Sequence, residues 1–97
     1  MDRDQTITTL RNHAADLRRL GVSRLFLFGS VSRDEAGRSS DVDLFFDFDL
    51  PSFSLVELVA LQDRISDLLR ARADVMSRGS IHPSLRQSIE GSAVQVF

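Results

Sequence analysis

The 97 residues contain no cysteine, no lysine and no tyrosine, and each absence matters. Without cysteine there are no disulfides, no thiolate metal sites and no cysteine nucleophile. All twelve basic residues are arginine. The lysine of a Walker A loop is therefore missing, and Schiff-base chemistry is excluded. Positive charge is not in excess either: twelve basic residues against fourteen acidic ones leave a net charge of -2. That balance argues against direct nucleic-acid binding and against a polybasic membrane surface. No apolar stretch is long enough for a signal peptide or a transmembrane span, so a cytoplasmic protein is expected.

The length predicts one domain over residues 1–97, with one hydrophobic core and no second lobe. An enzyme joining two substrates usually surrounds both. A chain this short would grip one of them and leave the other to a partner, so a hetero-oligomer is expected.

Periodicity changes several times along the chain. Ile7, Leu10, Ala14 and Leu17 recur at helical spacing and predict one helix ending near Leu20, with Gly21 as its stop. Leu25-Phe26-Leu27-Phe28 reads as a buried strand that ends at Gly29-Ser30 and turns into a short helical stretch. Gly37-Arg38-Ser39-Ser40 reads as loop. In the next strand Val42, Leu44, Phe46 and Phe48 alternate with Asp41, Asp43, Phe45, Asp47 and Asp49, making one face apolar and the other mostly carboxylate. Ser54 and Glu57 have the spacing of a capping box before Leu58, Leu61, Ile65, Leu68 and Leu69. Ala73-Asp74-Val75-Met76 suits a third strand. Pro83 suits the first turn of a helix stopped by Gly91, and Ala93 to Phe97 reads as a closing strand. The expected class is α/β or α+β, a mixed β-sheet packed with helices.

Candidate chemistry concentrates between Phe28 and Asp43. A strand ending in Gly29-Ser30 and entering a helix offers backbone N–H groups to a phosphate, and glycine allows its close approach; alone, such a pair is usually only a turn. Asp41 and Asp43 lie two apart on a strand and project from one face, where they suit a hard cation or equally a solvated sheet surface. Asp47 and Asp49 read as solvated or loop residues. Asp74, set between apolar neighbours, would be costly to bury unless paired, hydrogen-bonded or bound to metal. A third carboxylate converging on the pair would meet that need, with two Mg²⁺ ions serving the attacking hydroxyl and the leaving pyrophosphate. Arg33 suits the β- and γ-phosphates, or else a surface pair with Asp34 or Glu35.

The run Gly29-Ser30-Val31-Ser32-Arg33-Asp34 followed by Ser39-Ser40-Asp41-Val42-Asp43-Leu44 resembles a signature of the DNA polymerase β nucleotidyltransferase superfamily. That signature is Gly-Ser, a ten-residue gap, then Asp-x-Asp. The shortest members, MNT-domain proteins paired with HEPN-domain toxins, are similar along roughly nine-tenths of the chain, including Leu55 to Leu69, Ala73-Asp74-Val75 and the terminal Ala93 to Phe97. The resemblance implies the small nucleotidyltransferase fold. It makes Gly29 and Ser30 the phosphate-gripping turn and Asp41, Asp43 and Asp74 catalytic metal ligands; Arg33 and Ser40, beside these motifs, are further nucleotide-binding candidates. It also implies ATP as substrate with Mg²⁺, and transfer of AMP to a tyrosine of a HEPN ribonuclease toxin. Where the family often ends in tyrosine, this chain ends in Phe97.

Two rivals fail on pattern. Metal-dependent glycosyltransferases need a far longer domain, and an EF-hand would place an oxygen ligand and a glycine where Phe45 and Phe46 stand. The remaining rival is a noncatalytic antitoxin or interaction module of the same fold that covers its partner's active site. His13 and His82 have no partner at metal-ligand spacing and read as a helix-surface residue and a turn residue.

Overall fold

The computed structural model describes residues 2–32 and 41–97. Two helices open the chain, α1 (Arg3–Asn12) and α2 (Ala14–Arg19). Asp2 and Gln5 form a capping box at the start of α1. The single helix expected up to Leu20 is interrupted at His13, whose backbone N–H bonds back to Leu10 O while its carbonyl starts α2 through Leu17 N. The His13 ring also reaches Thr9 O at 2.9 Å, a side-chain contact that competes with continuation of the helix. Gly21 stops α2 as expected: its φ is 108°, and a Cβ there would press on Leu50 and Phe53.

The sheet contains β1 (Val22–Phe28), β2 (Val42–Phe48), β3 (Ala73–Ser77) and β4 (Val94–Gln95) in the order β3-β2-β1-β4. The β2 and β3 strands are parallel; the other pairs are antiparallel. A parallel neighbour requires a crossover, supplied by α4 (Leu55–Leu69). The expected Ser54–Glu57 capping box begins this helix, and Arg70 ends it in the left-handed conformation. After β3 come a 3₁₀ turn, Arg78–Ser80, and α5 (Pro83–Ser92), which has Pro83 in its first turn and the His82 ring accepting from Ser84 N. Gly91 lies inside α5 rather than at its stop, because the helix runs on to Ser92 before Ala93 returns to extended backbone. The closing strand extends past β4 through Val96 N to Leu25 O and Leu25 N to Phe97 O.

Alternation divides the sheet into two unlike faces. Leu25, Leu27, Val42, Leu44 and Phe46 are fully buried against Ile7, Leu10, Leu17, Leu61, Ile65 and Leu69 of α1, α2 and α4. The strand Leu25 to Phe28 is thus buried on one side only, since Phe26 and Phe28 are half-buried on the other. There Phe26 stacks on Phe45 with ring centres 4.7 Å apart, and the Arg78 guanidinium covers both rings.

Candidate active site

The site builds from the point where β1 ends and β2 and β3 begin. Gly29 turns the chain at φ 78° into α3 (Gly29–Ser32), a single turn held by the Ser32 hydroxyl donating to Gly29 O and by buried Val31. A Cβ on Gly29 would collide with Asp43 Oδ2. The turn and the carboxylate therefore share one crowded space that only glycine leaves open.

In the ladder, Asp43 pairs with Phe28 on one side and with Asp74 on the other, so the three side chains form a row across the face opposite α1, α2 and α4. Asp41 stands two residues before Asp43 on that face. Burial pushes the Asp43 carboxyl above its usual range, with the nearby charges of Asp74 and Asp41 adding to the effect. Among the described residues Asp41 pairs with Arg72 at 3.8 Å, an arginine whose side chain is 86% exposed. Such a pair stabilises little.

Asp74 is exposed, not buried between its apolar neighbours as the sequence suggested. Ala73 and Val75 point into the core, and the strand's alternation turns Asp74 outward beside Asp43. Two side chains of α4 fix this arrangement: Ser66 Oγ accepts from Ala73 N and Gln62 Oε1 accepts from Val75 N, both at 3.2 Å. Asp47 is likewise no merely solvated residue. Arg78 makes a two-pronged bond to it at 2.8 and 3.0 Å, and also reaches Glu90 of α5. Sequence reasoning passed over Arg78; a guanidinium following a strand that pairs with an acidic one was the signal available. Arg33, Ser40 and the loop expected from Gly37 lie outside the described residues.

Hard carboxylate oxygens suit Mg²⁺, and the space beside Asp43 that a Cβ would fill suits a phosphate approaching the main chain. Among the described residues no three acidic or histidine side chains already stand close enough to hold an ion. Like-charged carboxylates stay apart unless a cation draws them in. In donor chemistry these carboxylates fit the metal expected from the sequence.

A helix-backed mixed sheet carrying a glycine turn and a row of carboxylates on its opposite face is the architecture of a minimal nucleotidyltransferase. A solved structure described in those terms superposes with a TM-score of 0.83 at 30% identity, over 97% of this chain and 95% of the other. The chain belongs to the nucleotidyltransferase domain family, whose model matches residues 10–96, and it is a nucleotidyltransferase. Among curated relatives, the protein adenylyltransferase MntA of Thermococcus cleftensis is 34% identical over 89 residues, covering 90% of this chain and 88% of the relative. A Methanocaldococcus jannaschii protein named for the same activity is 35% identical over 89 residues, 90% of each chain. The fold is also that of an MNT antitoxin solved with a tri-AMPylated HEPN toxin of Shewanella oneidensis, with a TM-score of 0.68 at 18% identity over 94% of this chain and 71% of that one.

Proposed function

We propose that this protein is an antitoxin that transfers AMP from ATP to a tyrosine of a HEPN-family ribonuclease. The carrying observation is the row formed by Asp43 and Asp74, with Asp41 beside them, next to a turn that only glycine can make. Relatives about one-third identical along nearly the whole chain are named protein adenylyltransferases, which supports a protein as the acceptor. The MNT relative solved beside a tri-AMPylated HEPN toxin supports the class of partner. Tyrosine is absent from these 97 residues, so a tyrosine acceptor lies outside them.

In this reading the Gly29-Ser30 turn and Arg33 and Ser40 hold the triphosphate, while Asp41, Asp43 and Asp74 hold Mg²⁺. When bound, the metal would neutralise charge on the phosphates and favour the ionised acceptor oxygen. The acceptor hydroxyl oxygen attacks the α-phosphorus, the bond from that phosphorus to the bridging oxygen breaks, and pyrophosphate leaves. Asp74, the exposed member of the row, is open to an incoming acceptor and would accept the hydroxyl proton. The added phosphate places negative charge on the ribonuclease, which repels an RNA backbone.

The test incubates α-labelled ATP with the chain and its cognate HEPN protein. Label on the partner with loss of RNA cleavage is expected, and neither should occur with Asp41→Asn/Asp43→Asn. Inhibition without label, equal for wild type and the double variant, would instead establish the masking mode.

A further inference from the structure

Five large apolar side chains are well exposed among the described residues, and four of them gather near the start of α4: Leu50, Leu55, Val56 and Val59, the last three 74%, 79% and 50% exposed. Helical spacing sets Leu55 and Val59 in one row that continues into Asp63 and Asp67, with Val56 and Ala60 beside it. Both acidic residues are exposed, and among the described residues no ion pair engages either one. The outer side of α4 is therefore apolar over its first two turns and acidic over the next two. This ridge has a groove on each flank. One, of about 260 Å³, is lined by Phe48, Phe53, Leu55 and Leu58. The other, of about 420 Å³, lies between α2 and α4 and is lined by Asp16, Arg19, Leu20, Ala60 and Arg64. A ridge between grooves is the surface onto which another helix packs.

We infer that the outer side of α4 docks a helix of the acceptor protein, one that is apolar opposite Leu55, Val56 and Val59 and basic opposite Asp63 and Asp67. The inference rests on the reading that the acceptor is a separate protein. Charge pattern selects this occupant over a second copy of the chain. A parallel self-pair would bring Asp63 and Asp67 against their own copies, and an antiparallel one along the full helix would set them on apolar turns. The nearest arginine of α4, Arg64, is already bonded to Asp16 at 2.8 Å. An anionic membrane is disfavoured by the same acidic turns. Because α4 covers the sheet face opposite the carboxylate row, the contact anchors the acceptor without touching the reacting atoms.

Titration calorimetry with the cognate HEPN protein, paired with kinetics of label transfer to it, tests the surface. Val56→Glu/Val59→Glu is expected to weaken binding about thirtyfold or more and to raise KM for the acceptor, with kcat, ATP affinity and melting temperature retained. Asp63→Arg/Asp67→Arg is expected to slow association about tenfold at low salt and to remove most of its salt dependence. Equal binding by wild type and both variants would overturn the docking surface while leaving the proposed function intact. No binding by the wild-type chain would overturn the partner and the surface together. Self-association in sedimentation, or binding to anionic vesicles, that Val56→Glu/Val59→Glu abolishes would also overturn the assignment.

Discussion

The same three strands build two opposite environments. On the helix side, Leu25, Leu27, Val42, Leu44 and Phe46 are sealed under α1, α2 and α4. One residue along the chain in each case, the other side carries Phe28, Asp43, Asp74 and Asp47, beside Phe45, which is buried under Phe26 and Arg78. The main core lies on the first face, and the second joins the candidate chemistry to a smaller packed group around Phe45. The strand period of two keeps them independent, so a residue can be costly for folding while its neighbour is unfavourable for folding and required for activity. The unfavourable part is visible in Asp43, held above its usual range by burial and by two neighbouring carboxylates.

If the faces are independent, substitutions should separate them. The largest effect belongs to Asp41→Asn/Asp43→Asn, expected to lower label transfer about a thousandfold or more, roughly 4 kcal/mol of barrier, with an unchanged circular dichroism spectrum. On the helix side, Leu44→Ala removes a fully buried side chain and should cost about 3 kcal/mol in urea unfolding, while folded protein keeps its specific activity. Gly29→Ala lies on the boundary. Its strained φ and its collision with Asp43 should cost about 1–2 kcal/mol of stability and depress transfer as well. Loss of stability with full activity would show that the turn is structural only.

The smallest effect has a distinctive sign. Because the Asp43 carboxyl is raised on folding, its charged form opposes folding at neutral pH, and that opposition fades as pH falls through the raised value. Asp43→Asn should therefore raise the melting temperature of metal-free protein by about 2–4 °C at pH 7, after discounting for solvent screening. The gain should vanish below the ordinary carboxylate range, near pH 3. A fall in melting temperature at pH 7 would mean that Asp43 makes stabilising contacts in the apo fold.

Where the pattern was local, the chain read clearly. The Ser54–Glu57 cap, the Gly21 stop, the apolar face of β2 and the closing strand all follow from spacing within a few residues. The paired Asp41 and Asp43 were visible for the same reason. What escaped depended on contacts distant in sequence or on a side chain's choice of partner. The break at His13 follows from one ring nitrogen turning to Thr9 O. Asp47 acquires its role only through Arg78, a residue 31 positions away. Asp74 was brought to the pair by the cost of burying it and then by family resemblance, but its exposure depends on which face of β3 meets the core, a matter that a five-residue strand cannot settle by itself.

Sheet edges are a hazard for small proteins, since unpaired backbone groups offer a template for strands of other molecules. On the β3 side two outward N–H groups are already occupied by Ser66 and Gln62, side chains that reach across from α4 and act as a substitute for a missing strand. Gln62 and Ser66 therefore guard solubility as well as local geometry. A sequence drifting to leucine at position 62 would keep its helix and its core yet reopen part of the edge, so selection against aggregation acts on a residue that touches neither substrate nor core.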